Sequence, residues 1–387
     1  MKLVFAHDHT FYKYNNQFYS SGGLSKEILE RYTSVFEEVV VISRQIEIKK
    51  FDNNLTLAST ERVKFIKVPN FKKMGNIYKV LKSKKIIKNV ISKTDALIAR
   101  LPSSIGSMAV SLAKKMQKPY LTEMVACPWD ALWNHSIKGK FIAPFVYLGT
   151  KKKVQQSNNV VYVTNKFLQK RYPTNGDSIN CSNVALTEFS DKVLSLRLKR
   201  INDMKTKDKI IIGTTAAVNV KYKGQQYVIE ALGHLKKKGH LKFEYQLVGA
   251  GDQSFLKSIA KKYNVIDEIK FLGPLPHEDV FNWLESIDLY AQPSRQEGLP
   301  RALIEAMSRG LPAFGANTAG IPELLEQEFI VSNTRSNVKE ICSILLNFTK
   351  EKMKAQSRRN FEESKKYERN IIERRRNKFF KKFKSHV

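Results

Sequence analysis

No stretch of the 387-residue sequence approaches the roughly 18 consecutive apolar residues of a membrane-spanning helix. The start, MKLVFAHDHTF, has one lysine and a short apolar run before His7, Asp8 and His9. That is too short for a secretory leader and reads as a first strand ending in a polar loop, so a cytoplasmic protein is expected. Cysteine is scarce. Cys127, Cys181 and Cys342 are far apart and form no Cys-x-x-Cys pair, which argues against a zinc module or a disulfide framework and leaves plain thiols. No repeat of solenoid period stands out. Acid is scarce as well: 36 Asp and Glu stand against 67 Lys and Arg, a formal net charge of +31.

That cationic excess asks for a reason. Asn70 to Lys93, NFKKMGNIYKVLKSKKIIKNVISK, holds eight lysines and no acid. The last residues, RRRNKFFKKFKSHV, interleave cations with Phe379, Phe380 and Phe383. Such mixtures suit an anionic membrane surface, where each cation contributes roughly 1 kcal/mol. They also suit nucleic acid or a plainly solvated lysine-rich surface. The membrane surface is the first expectation, the solvated surface the second. Nucleic acid comes last, because no helix-turn-helix or aromatic-basic RNA-binding pattern accompanies the charge. The chain is 42% hydrophobic, so it can bury real cores.

Short apolar runs alternate with helix-length segments. KLVFAH (2–7), VVVIS (39–43), VKFIKVP (63–69), ALIARLP (96–102), PYLTEMV (119–125) and VVYVT (160–164) read as buried strands. A second series follows: KIIIGTT (209–215), FEYQLVG (243–249), EIKFLG (268–273), DLYAQP (288–293), PAFGAN (312–317) and FIVS (329–332). This alternation predicts α/β architecture with parallel sheets in two doubly wound domains, and ligands at the carboxyl ends of their strands. The expected divisions are 1–190, 191–350 and a basic helical tail, 351–387, packing back on the first domain. The polar stretch from about Leu186 to Lys209, with SLRLKRINDMKTKDK at its centre, is the linker candidate.

Chemistry concentrates in QEGLPRALIEAMSRGLP, Gln296 to Pro312. Glu297 falls in a strand-to-helix loop. Pro300 suits the first helical turn, where its missing N–H costs nothing. Glu305 lies about a turn and a half inside the helix, and Gly310 with Pro312 ends it. The free N–H groups at the helix start favour an anion. Two acids on either side of such a point are badly placed for phosphate and well placed for sugar hydroxyls. Taken alone, Glu297 would read as a turn residue and Glu305 as a solvated helix charge. Two glycine motifs add to this. Gly22 and Gly23 precede a helix and let backbone N–H groups approach a phosphate. LVGAGDQS, with Gly249, is a partial G-x-G-x-x-G match and reads as a strand-to-helix turn, not an NAD site.

PSRQEGLPRALIEAMSRGLPAFGANTAGIPELL resembles the Glu-x7-Glu region of retaining glycosyltransferases of the GT4 type, with a GT-B fold of two Rossmann-like domains facing a cleft. YKGQQYVIEAL, YQLVGAGDQ, IKFLGPLPHEDV and DLYAQPS follow in the family's order, and SSGGLSKEI resembles its first-domain glycine loop. The resemblance implies that Glu305 holds the nucleotide ribose and that Glu297 faces the donor sugar. It implies that Gly298, Leu299 and Pro300 bring the helix start to the sugar and diphosphate. Lys223 and Gly224 match the family's Lys-Gly pair, with the lysine on the diphosphate. Where relatives carry an upstream Arg this chain has Thr214 and Thr215, which leaves Lys221 as the candidate second cation. Leu272 would border the base, Gly249 would line the nucleotide, and Gly22 and Gly23 would lie across the cleft from Lys223. Gly320 marks a further loop near the sugar, where the family more often has glycine in place of Ala319. Relatives carry a His beside the donor sugar after a late strand of the first domain. Glu123 stands nearest that place, with Asp130 second. A metal at His7 and His9 is the lesser expectation, and none is required.

The implied activity is transfer of a sugar, with retention, from a nucleotide diphosphate sugar, UDP-linked by preference, with no other cofactor. The expected acceptor is a glycan, lipid-linked at the inner membrane face, in assembly of capsule, O-antigen or exopolysaccharide. A soluble acceptor or a nucleotide-sugar epimerase is the nearer alternative, and a basic nucleic-acid-binding protein the remote one.

Overall fold

The computed structural model describes residues 1–71, 77–184, 186–187, 189–205, 209–240, 242–334 and 336–387. Lys72 and Lys73 of the basic run, and 206–208 of the linker candidate, lie outside the described residues. The chain forms two compact units. One comprises Met1–Leu132, Lys140–Cys181 and Glu373–Val387; the other comprises Trp133–Gly139 and Ser182–Ile372.

The first unit is built on a nine-stranded sheet. Its strands are β1 (Lys2–Tyr14), β2 (Gln17–Ser20), β3 (Glu38–Glu47), β4 (Thr56–Leu57), β5 (Val63–Lys67), β6 (Ala96–Leu101), β7 (Tyr120–Met124), β8 (Asn159–Tyr162) and β9 (Asp177–Asn180). β1 pairs in parallel with β3 and β6, β3 with β5, and β6 to β9 continue in parallel. The inner strands are apolar on both faces, as helix-covered parallel strands must be; all of β6, ALIARL, is buried. β1 runs further than its apolar start foretells. Past a register shift between Ala6 and Thr10 it extends to Tyr14 and turns back into β2. His7, Asp8 and His9 thus sit in a strand, not in the expected polar loop.

The second unit holds six parallel strands: β10 (Ile210–Thr215), β11 (Phe243–Val248), β12 (Ile269–Gly273), β13 (Leu289–Gln292), β14 (Ala313–Ala316) and β15 (Ile330–Val331). Their order is β12-β11-β10-β13-β14-β15. The order reverses between β10 and β13, which is where such sheets take ligands. Ile212, Val228, Leu247, Phe314 and Ile341 belong to its core.

The middle of the linker candidate is instead a helix, Asp191–Asp203, inside the second unit. Its polar sequence misleads because one cation is buried by design. Arg197 donates to the carbonyls of Ile287 at 2.5 Å and Leu284 at 2.8 Å, satisfying the C-terminal end of the helix His277–Ser286. Arg200 pairs with Asp288 at 2.8 Å.

The basic tail divides. Helix Lys350–Lys365 belongs to the second unit. There the Gln356 amide exchanges two 2.8 Å hydrogen bonds with the backbone of Ala313, and Asn360 donates to the Leu311 carbonyl. In helix Arg369–Lys384, residues from Glu373 on belong to the first unit. Phe379, Phe380 and Phe383 are buried, with Phe380 stacked on Tyr32 and Phe383 edge-on to Phe36. The tail's aromatic residues therefore serve a core, and the expectation that they face lipid is corrected.

Candidate active site

The chain leaves β10 at Thr215 and β13 at Gln292, the two strands that flank the reversal of strand order. After β10 it makes a single 3-10 turn, Lys221–Lys223, and enters the helix Gln225–Lys237 through Gly224. Gly224 adopts φ +78°, and a Cβ there would lie 2.0 Å from the Pro293 carbonyl oxygen. Only glycine permits both the left-handed backbone and this approach of the two loops. Arg295 N–H donates to the Tyr222 carbonyl at 2.7 Å and closes the same seam.

The seam sets Lys223 beside Glu297: Nζ lies 2.7 Å from Oε1, and the side chains are 24% and 13% exposed. Gln292 Nε2 donates to the same carboxylate oxygen at 3.1 Å. The following helix, Arg301–Ser308, has Pro300 at its N-cap and no side chain capping it, so its first N–H groups are open to an anion. Glu305 stands inside that helix and approaches His277 Nε2 at 3.6 Å. The Glu305 carboxylate beside it holds the His277 imidazole above its ordinary pKa, against the opposing effect of partial burial.

These groups line one cavity of about 480 Å³, with Thr215, Leu275, Val280, Leu299, Pro300, Arg301 and Ala302. The volume is that of a small-molecule site. In two lining residues a side-chain atom, Thr215 Oγ1 and Gln292 Oε1, is buried with no hydrogen-bond partner among the described residues. Buried polar atoms seldom stay unsatisfied.

The structure thus brings together Lys223, Glu297, Leu299, Pro300 and Glu305. Gly298 backs the same loop: its carbonyl accepts from Gly320 N–H at 2.9 Å, and a Cβ on Gly320 would lie 2.7 Å from that oxygen. Ala319 adopts φ +50°, a conformation glycine takes more cheaply.

Other expected positions fall outside the lining. Lys221 turns to the Phe255 ring, its Nζ 4.6 Å from the centroid, and the second lining cation is Arg301. Leu272 is exposed on β12, and Leu275, three residues on, takes the lining place. Gly249 packs, since a Cβ would lie 2.0 Å from the Ala216 carbonyl. His277, Gln292 and Arg301 escaped the sequence reading. Their only sequence signal is position, at strand ends or helix starts on the carboxyl side of the sheet.

In the first unit Glu123 is 4% exposed and committed. It pairs with Arg100 Nε at 2.8 Å and accepts from the Tyr32 hydroxyl at 2.9 and 3.0 Å. A carboxylate closed in by a buried cation and a phenol has no path to an acceptor, so its expected catalytic role is corrected to a structural one. Asp130 sits 3.3 Å from Arg171, and burial raises its pKa against the pull of that cation. Asp8 closes the anion-favouring start of the helix Ser104–Lys115, accepting from the N–H groups of Ser104 and Ile105. His9 bonds Ser20 Oγ at 2.9 Å, and burial, aided by Arg100, lowers its pKa to about 4. Gly22 and Gly23 lie between β2 and the helix Lys26–Thr33, and nothing stands within 4 Å of where a Cβ would be. Packing therefore does not require glycine at either place. Among the described residues no group of three or more His, Cys, Asp or Glu could hold a metal.

Residues 197–368 match the family described as glycosyl transferases group 1. The chain is 33% identical over 339 residues to Protein CapJ of Staphylococcus aureus, covering 85% of this chain and 82% of CapJ. It is 38% identical over 111 residues to the amylovoran biosynthesis glycosyltransferase AmsK of Erwinia amylovora, 27% of each protein. The crystal structure of Anabaena HepE in complex with UDP and glucose superposes with a TM-score of 0.65 at 14% identity, covering 100% of this chain and 99% of HepE, a likeness of fold.

Proposed function

Because the chain belongs to the glycosyl transferases of group 1, we propose that its cavity at the β10/β13 reversal binds a nucleotide diphosphate sugar and that the enzyme transfers the sugar with retention of configuration. The observation that carries this reading is the gathering of Lys223, Glu297 and Glu305 around one helix N-terminus in one cavity. Glu305 accepts hydrogen bonds from the ribose hydroxyls. Lys223 and the N–H groups of the helix Arg301–Ser308 hold the diphosphate and stabilise the charge that grows on it as the glycosidic bond breaks. Glu297, with Gln292, faces the sugar. The bond from the anomeric carbon to the leaving phosphate oxygen breaks as the acceptor oxygen bonds that carbon on the same face. The acceptor's proton passes to the leaving phosphate oxygen.

UDP is the favoured nucleotide, supported by its presence in HepE. A glycan acceptor in cell-surface polysaccharide assembly is supported by AmsK, whose name places it in amylovoran biosynthesis. The acceptor is lipid-linked and the enzyme peripheral on an anionic membrane, a reading supported by the net charge of +31. Among the described residues no helix is long and apolar enough to cross a membrane.

A thermal-shift panel of nucleoside diphosphates and their sugars tests the donor site. Stabilisation by UDP or a UDP-sugar that disappears in Glu305→Ala is expected. Indifference to every nucleoside diphosphate would overturn the proposal.

A further inference from the structure

Helix Ile137–Gln155, IKGKFIAPFVYLGTKKKVQ, has two apolar sides, and among the described residues only one of them is covered. From Lys140 on it belongs to the first unit. Ala143, Tyr147, Thr150 and Val154 follow the spacing i, i+4, i+7, i+11 and form the inward stripe; Val154 is part of a core cluster against which Tyr147 packs. Phe141, Phe145, Leu148 and Lys152 repeat that spacing two residues earlier, which sets them roughly opposite it. Phe141 is 75% exposed, Phe145 77% and Leu148 61%. A solvated helix of a globular unit normally turns polar residues outward, so large aromatic residues at this exposure mark a contact surface.

The charge around the stripe selects the occupant. The helix contains no acid; Lys140 and Lys152 are exposed, Lys152 in line with the outer stripe, while Lys151 turns its Nζ to the inward Tyr147 ring at 5.9 Å. A second copy packed on this face would set lysine against lysine. An anionic bilayer offers what the face lacks, hydrocarbon for the phenylalanines and phosphate for the lysines, whose long stems reach the headgroup level. The tail cannot play this part, since its phenylalanines are buried. We propose that Phe141, Phe145 and Leu148 insert below the headgroups of an anionic phospholipid bilayer, with Lys152 on the phosphates. The inference rests on the reading of the enzyme as peripheral on the membrane and names the element that docks.

The test is co-sedimentation of the full chain with vesicles of phosphatidylcholine alone or mixed with phosphatidylglycerol. The wild type should bind only the mixed vesicles, more weakly as salt rises. Phe141→Ser/Phe145→Ser should bind them at least about tenfold more weakly. Lys152→Gln should bind about fivefold more weakly and show a flatter salt dependence. Both variants should keep the wild-type melting temperature and thermal shift with UDP, which shows that loss of vesicle binding is not loss of fold. Unchanged binding by the phenylalanine variant would overturn the assignment of this helix while leaving a peripheral enzyme. A wild type that ignores anionic vesicles would overturn the assignment and the membrane reading together; intact UDP binding would then leave the transferase reading standing. A concentration-dependent dimer abolished by the phenylalanine variant, without vesicle binding, would give the face to a second copy and overturn the proposal.

Discussion

Replacing Glu297 by glutamine should move ligand binding and catalysis in opposite directions. Lys223 Nζ lies 2.7 Å from Glu297 Oε1, in a pair that is mostly but not fully shielded from solvent. At that distance the attraction is roughly 6 kcal/mol for an effective dielectric of about 20. Desolvation and remaining solvent access bring the net value to about 1–3 kcal/mol. A diphosphate that takes Lys223 as its counter-charge must replace this attraction while coming close to a carboxylate. Glutamine preserves the shape and still accepts from Gln292, but it carries no charge. UDP should therefore bind Glu297→Gln about 5–30-fold more tightly than wild type, a gain of about 1–2 kcal/mol. Sugar transfer should fall by about 100-fold or more, because the polar group facing the reacting sugar is weakened. Calorimetric titration of UDP at fixed ionic strength, paired with turnover of a UDP-sugar, reads both. Weaker UDP binding by the variant would refute the competition between Glu297 and diphosphate. Undiminished turnover would refute its place at the sugar.

Glu305→Ala should weaken nucleotide binding by about 2–3 kcal/mol, the loss of charge-assisted hydrogen bonds to a ribose, measured by the same titration. Glu123→Gln should leave UDP binding intact yet destabilise the fold by about 3–5 kcal/mol in chemical denaturation, because Arg100 is left buried without its counter-charge. His277 gains its proton more readily in the folded state, so its pairing with Glu305 stabilises fully below the ordinary histidine value of 6.5 and is lost as pH rises through the raised value. The melting difference between wild type and His277→Ala should shrink as pH rises. His9 acts in the opposite sense. Its pKa falls from 6.5 to about 4, so the unfolded chain takes the proton first and stability drops as pH falls between those values. His9→Gln should flatten that drop in a pH series of melting curves.

Both sheets were legible because parallel strands covered on each side leave unbroken apolar runs such as ALIARL and KIIIGTT. The pairing of Glu297 and Glu305 around a helix start was legible because loop, proline and helix signals follow one another within seventeen residues. What stayed hidden was polar chemistry turned inward. Arg197 makes a buried helix look like a linker, since its burial depends on carbonyls some ninety residues away. Glu123 looked reactive because its neutralisation by Arg100 and Tyr32 is a matter of strand pairing and helix packing, invisible along the chain. The tail shows the same limit: interleaved cations and phenylalanines describe an inward helix face as well as a lipid-facing one, and only Tyr32 and Phe36 decide.

The return of Glu373–Val387 to the first unit has a consequence for biosynthesis. The sheet of that unit is synthesised early, but the residues that cover Tyr32 and Phe36 and pair Arg31 with Glu373 leave the ribosome after the whole second unit. During translation the first unit therefore waits with an aromatic face uncovered while a six-stranded neighbour is made. Its completion follows that of the second unit, and a nascent chain stalled before Glu373 would offer that face to chaperones.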